Sequence, residues 1–382
     1  MSGAILLTGA TGFLGMNALA RLIEREEEVV VMIRARDAGG ARERLGETLA
    51  RLYDAPPPSA AQVKVVRGDL LEPGLGLSSD ECRALVASVD RIVHCAASIS
   101  FDLPLEQARA INVRGVERVV ELAREIAREG TLRRVVHVST AFVSGRHAGE
   151  FTEDDLDVGQ EFRNTYERSK NEAEALLYDT AAELPLAVAR PSIVVGHSAS
   201  GWTSAFNVLY WPMRAFERGL LSEVPAREDS IVDFVPVDYV TDGVLALLDD
   251  EDALGTYNLV AGDRAVTARE LVELHSSLTG REPVRFVTPA EGDGAVPAGG
   301  ETFVPYFDVR CRFSDVRASA LLAQAGVEKP EPGDYLEQLL GYARRAAWGK
   351  RPISRQASFV TAAGAAIVGY AGSRSATGSL SP

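Results

Sequence analysis

The chain has 382 residues, of which 46% are hydrophobic, and a formal net charge of −14 at pH 7. This length suits one large α/β domain with a smaller appended part, and an acidic balance without a basic run argues against nucleic acid as a partner. A phosphate-bearing ligand would need a local basic pocket. The three cysteines form no CxxC pair, and the five histidines are scattered. These patterns predict a reducing cytoplasm and no metal site.

The first half of the chain alternates β-branched apolar runs with helical stretches. Strands are predicted at 3–8, 29–33, 63–66, 91–94, 133–139 and 186–192. Helices are predicted at 13–25, 40–53, 79–88, 104–129 and 163–182. Strands that alternate with helices indicate right-handed βαβ units. The predicted fold class is therefore α/β, with a Rossmann-type doubly wound parallel sheet over residues 1–195.

The regular alternation of predicted strands and helices ends at about residue 195. Residues 196–351 are expected to form a smaller mixed substrate-binding lobe, with 231–260 returning to the Rossmann core. The stretch 202–221 is rich in aromatic residues, which favours either a channel for an apolar ligand or a plain core helix. The Ala-, Gly- and Ser-rich segment 352–382 is predicted to be disordered. The start of the chain lacks the pattern of a signal peptide. The sequence contains no apolar run of about 20 residues, so we predict that no segment spans a membrane.

A glycine-rich turn follows the first predicted strand in the stretch LLTGATGFLG, residues 6–15. Gly9, Gly12 and Gly15 are spaced three apart, before a predicted helix and about 20 residues ahead of the end of a second strand. Backbone N–H groups of such a turn can approach a pyrophosphate, and the helix dipole favours the anion. We therefore predict a dinucleotide site; the alternative is a glycine turn without a ligand.

The second predicted strand ends in VVVMIRARD, with arginine where NAD-specific enzymes usually carry an acid. The guanidinium of Arg34 can pair with a 2′-phosphate that a carboxylate would repel. Arg36 lies close behind, and Asp37 is expected past the end of the strand. The pattern predicts NADPH as the cofactor; the alternative is that both arginines are merely solvated.

Tyr166 and Lys170 lie one helical turn apart in the stretch RNTYERSKNEAE, so their side chains share a face. An ammonium beside the phenol is expected to lower the pKa of Tyr166 and make it a proton donor near neutral pH. Upstream, the strand in VVHVSTAFVSG ends in hydroxyl residues, where open α/β sheets place their sites. Thr140 is the favoured hydrogen-bond donor to a substrate carbonyl, and Ser139 is the alternative.

These motifs together resemble the extended short-chain dehydrogenase/reductases over roughly residues 1–350. The matching pieces are TGATGFLG, GDL, HCAAS, the Ser–Thr pair before Tyr166 and Lys170, and RPSIVVG. Within that superfamily, HCAASISFD, INVRGVERVVELA, VSTAFVSG, NTYERSKNEAE and DFVPVDYVTDGV are most similar to thioester reductases and fatty acyl-CoA reductases. The resemblance implies catalytic roles for Thr140, Tyr166 and Lys170, and agrees with an NADPH preference.

The resemblance also implies an activity and a set of cofactor contacts. The expected reaction is reduction of an acyl thioester to an aldehyde, which a second NADPH could reduce to an alcohol, with the acyl group on CoA or on a carrier protein acting in trans. The aromatic stretch 202–221 would then line an acyl-chain channel. The expected cofactor-binding residues are Gly9, Thr11, Gly12, Phe13, Leu14, Gly15, Arg34, Asp69, Leu70, Ala96, Ala97, Asn112, Tyr166, Lys170, Pro191, Ser192 and Ile193. A monomer or a homodimer through 104–129 and 163–182 is expected.

Two other functions remain open from the sequence. An epimerase, dehydratase or ketone- or hydroxysteroid-type dehydrogenase would use the same three catalytic residues, although Arg34 argues against an NAD-dependent sugar epimerase. A regulator that senses NADP without turnover would typically lack the tyrosine–lysine pair, which is intact here. The class of substrate separates these alternatives.

Overall fold

The computed structural model describes residues 3–206, 208–220, 223–224, 226–287, 306 and 308–360. The strands are β1 Ala4–Thr8, β2 Val29–Ile33, β3 Lys64–Arg67, β4 Val89–His94, β5 Arg134–Val138, β6 Gly149–Phe151, β7 Leu186–Pro191, β8 Ile193–Val195, β9 Glu223–Val224, β10 Ile231–Val232, β11 Phe234–Pro236, β12 Gly255–Leu259, β13 Val266–Thr267, β14 Arg285–Phe286 and β15 Cys311–Phe313. The helices are α1 Phe13–Glu24, α2 Ala38–Leu52, α3 Ser79–Ser88, α4 Leu105–Asn112, α5 Arg114–Glu129, α6 Thr165–Thr180, α7 Tyr210–Glu217, α8 Val237–Asp249, α9 Ala268–Thr279, α10 Val316–Gln324 and α11 Pro332–Arg345.

A seven-stranded sheet in the order β12-β7-β5-β4-β1-β2-β3 forms the centre of the molecule. Each neighbouring pair is parallel. The chain runs outward from β1 to β3 on one side and from β4 to β12 on the other, so the direction reverses between β1 and β4. This topology confirms the predicted Rossmann-type α/β class. Open sheets of this kind bind ligands at such a reversal, outside the carboxyl ends of the strands.

The central strands are buried on both faces, which explains their continuous apolar sequences. Every residue of β1, β2, β4, β5 and β7 is buried. One face packs against α1, α2 and α8, and the other against α3, α5 and α6. Residues 231–260 return to the sheet, because α8 covers it and β12 pairs with β7.

The helix predicted over 104–129 is in fact two helices, α4 and α5, joined at Val113. The last residue of α4 is Asn112. Its buried side chain accepts a hydrogen bond from the Ser98 N–H at 2.8 Å and donates to the Ser169 hydroxyl at 2.9 Å. The amide thus ties the segment after β4 to α6.

The smaller lobe is built from α7, α9, α11 and short strand pairs. Leu209, Tyr210 and Met213 pack against Tyr335 and Leu336 in its core. β15 pairs with β6 in parallel, so the chain beyond residue 310 adds a strand to the segment that follows β5. This pairing brings the C-terminal half of the chain next to the end of the Rossmann sheet where the site lies.

The predicted disorder from residue 352 is wrong for residues 352–360, which pack on the Rossmann domain. The Trp202 indole N–H donates to the Ile353 carbonyl at 3.0 Å, and the Ser354 hydroxyl donates to Asp54 at 2.7 Å. A helix begins at Arg355, whose guanidinium contacts Glu24 at 2.7 Å. The low hydrophobicity of the segment concealed these specific contacts. The rest of the predicted tail lies outside the described residues.

Candidate active site

Two adjoining cavities lie at the carboxyl ends of the strands, at the reversal between β1 and β4. The β2 cavity, of about 410 Å³, is lined by residues of β1 and β2 and by the segments that follow β3 and β4. The α6 cavity, of about 510 Å³, extends from the same glycine turn to α6. Gly9, Thr11, Gly12, Cys95 and Ala97 line both cavities. The two cavities therefore form one groove that crosses the edge of the sheet.

The glycine turn requires its glycines for steric reasons. Gly9 has φ +75°, and a Cβ there would lie 2.7 Å from the backbone N of Ala96. A Cβ on Gly15 would lie 2.2 Å from the Gly9 carbonyl oxygen. The turn thus brings β1, the end of β4 and the start of α1 into close contact. Helix α1 begins after Gly12 with no side-chain cap, which leaves its first N–H groups directed into the groove.

Two arginines line the β2 cavity. Arg34 follows β2 and is exposed, as predicted from the sequence. Arg44 of α2, which the sequence gave no reason to select, donates to the Arg34 carbonyl and to the Thr11 hydroxyl, the latter at 3.4 Å. Asp37 lies beyond the strand, where its carboxylate caps α2 by accepting from the Gly40 N–H at 2.9 Å. Arg36 does not line either cavity.

The other residues expected to contact a cofactor are distributed along the same groove. Asp69 and Leu70 line the β2 cavity, and the Asp69 carboxylate accepts from the Leu71 N–H at 2.9 Å. The remaining residues that line one or both cavities are Ala96, Ala97, Phe13, Leu14, Pro191, Ser192 and Ile193. Asn112 is the exception, because its buried side chain lines neither cavity and instead forms hydrogen bonds with the backbone of Ser98.

Thr140, Tyr166 and Lys170 meet in the α6 cavity. Burial raises the pKa of the Tyr166 phenol to about 12, and a hydrogen bond with the Thr140 hydroxyl opposes that shift. The same threonine oxygen accepts from the Phe142 N–H at 3.2 Å and donates to the Pro191 carbonyl at 3.4 Å. Ser139 also lines the cavity, but its buried hydroxyl has no hydrogen-bond partner among the described residues. Thr140 is therefore the hydroxyl that the fold couples to Tyr166.

The expectation that Lys170 lowers the pKa of Tyr166 is wrong for this structure. The Lys170 ammonium donates to the Val138 carbonyl at 2.9 Å and lies 3.2 Å from His137 Nε2. It is thus held against β5, and burial dominates the pKa of the phenol. Burial also lowers the pKa of Lys170 to about 8, while Glu174, one turn further along α6, raises it.

Two histidines missed from the sequence lie beneath the lysine. His94, at the end of β4, has Nδ1 2.7 Å from the Thr8 hydroxyl, and its ring centre is 5.2 Å from that of His137. Burial, followed by the charge of Lys170, lowers the pKa of His94 to about 3 and that of His137 well below its usual value. Both imidazoles are therefore neutral at pH 7, and His137 can accept a hydrogen bond from the ammonium.

An aromatic wall, which we define as Phe101, Phe142 and Tyr306, stands beside Tyr166. Ring centres are 5.8 Å apart for Phe101 and Tyr166, 5.4 Å for Phe101 and Tyr306, and 5.3 Å for Phe142 and Tyr306. All four rings line the α6 cavity. Tyr306 comes from the far end of the chain, so its place in the site could not be read from local sequence.

The aromatic residues of 202–221 do not form an acyl channel. Trp202 is 1% exposed and packs with Phe13, and Tyr210 and Phe216 are buried in the core. Only the small or aliphatic residues Ser204, Ala205 and Val208 of this stretch, within the described chain, line the α6 cavity. The alternative interpretation, a core segment, is therefore correct for these rings.

A model of the family described as "Male sterility protein" matches residues 7–244, which include the glycine turn and all three predicted catalytic residues. The chain belongs to this family. Fatty acyl-CoA reductase wat of Drosophila melanogaster is 29% identical over 277 residues, covering 63% of this chain and 53% of that protein. Human fatty acyl-CoA reductase 1 is 30% identical over 278 residues, with the same coverage. The chain thus spans about half the length of these curated relatives.

Solved structures show the same architecture across nearly the whole chain. The terminal R domain from the myxalamid PKS-NRPS biosynthetic pathway has a TM-score of 0.80 and 25% identity, covering 92% of this chain and 93% of that chain. The R domain of a nonribosomal peptide synthetase from Mycobacterium tuberculosis has a TM-score of 0.66 and 21% identity, covering 92% and 93%. The resemblance to extended short-chain dehydrogenase/reductases of the thioester and fatty acyl-CoA reductase group is confirmed.

Two further observations concern only the described residues. No helix there is both long and apolar enough to cross a bilayer. No group of three or more His, Cys, Asp and Glu side chains in that part of the chain is arranged to hold a metal ion.

Proposed function

We propose that this chain is an NADPH-dependent reductase that converts an acyl thioester into an aldehyde and a free thiol. The observation that carries the proposal is that Tyr166, Thr140 and Lys170 line one cavity with the residues of the glycine turn. A proton donor at this place suits reduction of a carbonyl group. The names of the family's fatty acyl-CoA reductases support a thioester as the source of that carbonyl.

The residues of the groove fit a nicotinamide dinucleotide. The turn at Gly9, Gly12 and Gly15 offers backbone N–H groups to a pyrophosphate, and Arg34 and Arg44 offer two guanidinium groups to a 2′-phosphate. MoeE5, a solved structure with a TM-score of 0.64 and 22% identity that covers 90% of this chain and all of that chain, holds NAD. The choice of NADPH over NADH depends on the two arginines and is part of the proposal.

The side chains of the α6 cavity support the chemistry in defined roles. Bound in the groove, NADPH would supply hydride, so that one thioester, one NADPH and one proton give one aldehyde, one thiol and one NADP⁺. The raised pKa of Tyr166 keeps its phenol protonated at neutral pH. Tyr166 and Thr140 can then donate hydrogen bonds to the carbonyl oxygen as negative charge develops there. The C–S bond breaks when the resulting hemithioacetal collapses, and the sulfur leaves as the thiol.

The acyl group is assigned to the aromatic wall, and the thiol carrier to the remaining open side of the α6 cavity. Phe101, Phe142 and Tyr306 supply apolar surface next to Tyr166, which favours an alkyl or aryl acyl chain over a sugar. The carrier is coenzyme A or the phosphopantetheine arm of a carrier protein. A second reduction of the aldehyde in the same site would give an alcohol.

The test is reduced-nicotinamide oxidation with a medium- or long-chain acyl-CoA, with the aldehyde and alcohol quantified. Wild type is compared with Tyr166→Phe, which keeps the ring but removes the donor, and NADH replaces NADPH as a control. We expect turnover with NADPH and a loss of about 10²–10⁴-fold in the variant. Activity on ketones or sugar nucleotides but on no thioester would contradict the proposal and favour the alternative dehydrogenase or epimerase.

A further inference from the structure

The α6 cavity is lined by an arginine that the chemistry above does not use. Arg51 lies in the last turn of α2 and lines the cavity together with Phe13 and Leu14 of α1. Lys170 lies within the catalytic group of the same cavity, against β5. The two cations thus come from different elements, one from the reacting centre and one from the outer surface of the Rossmann domain.

The charge of this cavity is unlike that of the chain as a whole. The sequence contains 54 acidic residues against 40 basic ones. None of the described residues that line the α6 cavity is Asp or Glu, and Arg51 and Lys170 are its only Arg or Lys side chains in that part of the chain. Because an acidic surface repels phosphates, a cavity free of carboxylates with an exposed guanidinium is a local exception that favours an anionic group.

The guanidinium of Arg51 is available for a ligand. It forms no ion pair or hydrogen bond within the described residues, whereas Arg44 is held by the Arg34 carbonyl and the Thr11 hydroxyl. Arg44 and Arg51 are seven residues apart, which places them on the same face of α2, within about 20° of each other around the helix axis. That face borders the groove at both residues, with Arg44 in the β2 cavity and Arg51 in the α6 cavity.

We propose that Arg51 binds a phosphate group of the thiol carrier, either on coenzyme A or on a protein-bound phosphopantetheine arm. The inference rests on the proposed thioester reduction. A thioester whose carbonyl lies at Tyr166 has a long pantetheine chain between its sulfur and its first phosphate. The acyl group fits the aromatic wall, so the carrier leaves the cavity on another side. Arg51 supplies the charge that its phosphate needs there, and a planar guanidinium suits bidentate phosphate binding.

The competing assignment is the pyrophosphate of the dinucleotide. The N–H groups of the glycine turn and the start of α1 already serve that pyrophosphate, because they line the same groove at Gly12 and Phe13. Arg51 is therefore assigned to the substrate. A purely structural role, as a cation at the carboxyl end of α2, is the other alternative. Both alternatives give kinetic results different from those of the proposal.

The experiment compares Arg51→Gln with wild type on three thioesters of one acyl chain: acyl-CoA, acyl-phosphopantetheine and acyl-pantetheine, which has no phosphate. We expect the KM for acyl-CoA to rise about tenfold, as for a lost charge-assisted hydrogen bond, with kcat within about twofold. The KM for acyl-pantetheine and for NADPH should not change. Arg42→Gln is the matched control, because Arg42 is an exposed arginine of α2 that lines neither cavity.

The three substrates also distinguish coenzyme A from a protein-bound phosphopantetheine arm as the carrier. They further distinguish a failure of the Arg51 subsite from a failure of the proposed thioester reduction. A rise for both acyl-CoA and acyl-phosphopantetheine assigns Arg51 to the phosphate common to coenzyme A and carrier proteins, and a rise for acyl-CoA alone assigns it to the nucleotide phosphates. An equal rise for all three thioesters, a rise only for NADPH, or no change contradicts the Arg51 subsite. If the wild type reduces none of the thioesters, the proposed function fails first, and this inference fails with it.

Discussion

Lys170 Nζ lies 3.2 Å from His137 Nε2, between α6 and β5, and both side chains are buried. Because the pKa of His137 is far below its usual value, the imidazole is neutral and accepts the hydrogen bond. The ammonium is thereby held against the strand that ends in Thr140. This contact explains how a lysine that is 2% exposed keeps a fixed position in the site.

The burial of Lys170 predicts the pH dependence of catalysis. Its pKa is lowered to about 8, whereas the pKa of Tyr166 is raised to about 12. The catalytic role that the family resemblance implies for Lys170 requires its ammonium form, which is present below the lysine pKa. We therefore predict that kcat/KM falls as pH rises through about 8, with the phenol still protonated. A pH profile of kcat/KM, which reports groups of the free enzyme, measures this.

The control for that profile is His137→Leu. Loss of the acceptor destabilises the charged form of Lys170, so the alkaline limb should move to lower pH. An alkaline limb near 10 or above in the wild type, or a limb that does not move in the variant, would show that the lysine–histidine contact does not set the profile.

The buried His94 predicts a loss of stability in acid. Its pKa is lowered from 6.5 to about 3, so between these values the unfolded chain binds the proton and the folded chain does not. The free energy of unfolding should therefore rise with pH across this window, by up to about 1.4 kcal/mol per pH unit from this group. His94→Gln removes the titration and keeps a polar partner for Thr8.

Urea unfolding of wild type and His94→Gln between pH 4 and 7 measures the difference, with a smaller slope expected in the variant. Glu153, whose pKa is raised by burial, acts in the opposite direction and is present in both proteins. Identical slopes would rule out His94 as a source of the acid sensitivity.

A buried ion pair supports α6 one turn beyond Lys170. Arg190 Nε donates to Glu174 Oε2 at 2.8 Å, and both side chains are 0% exposed. Glu174→Gln leaves the arginine buried without a counter-charge, and should lower the free energy of unfolding by about 3–5 kcal/mol. Glu172→Gln on the same helix is the control, because Glu172 pairs with Arg109 in a partly exposed position.

Urea unfolding of both variants at neutral pH is the measurement. Glu172→Gln, which removes the partly exposed pair, should lower the free energy of unfolding by at most about 1 kcal/mol. Equal costs for Glu174→Gln and Glu172→Gln would mean that the burial of the first pair does not determine its contribution.

Arg34 and Arg44 predict the choice of cofactor. Replacing either with Gln removes a guanidinium from the β2 cavity, so the KM for NADPH should rise about tenfold to 100-fold. The KM for NADH, which lacks the 2′-phosphate, should change little. Arg36→Gln is the matched control, since Arg36 is exposed and lines neither cavity. Equal losses with NADPH and NADH would assign the arginines to another part of the dinucleotide.

Local sequence was enough to predict the Rossmann sheet and the glycine turn. The strands are buried apolar runs, and the glycines are required within a few residues of each other. Tyr166 and Lys170 were predictable for the same reason, since the spacing on α6 determines that they share a face. β12 was not predicted as a strand of the central sheet, because only its pairing with β7 reveals that position.

The rest of the site depends on contacts between distant segments. Tyr306 joins Phe101 across about 200 residues of sequence, and nothing near it in the chain indicates that position. The Lys170 ammonium donates to the Val138 carbonyl and does not lower the pKa of the Tyr166 phenol. The packing of α6 on β5 determines this contact. In the sequence, Arg44 and Arg51 cannot be distinguished from other surface arginines. The fold places the face of α2 that carries them beside the groove.

The most direct test of the account is the stoichiometry of thiol release against NADPH oxidation with an acyl-CoA substrate. A thioester reductase that stops at the aldehyde frees one thiol for each NADPH oxidised. One that continues to the alcohol frees one thiol for every two NADPH oxidised. Tyr166→Phe should lose both signals together. Thiol release without NADPH oxidation, or NADPH oxidation without thiol release, would contradict the assignment of this chain as a thioester reductase.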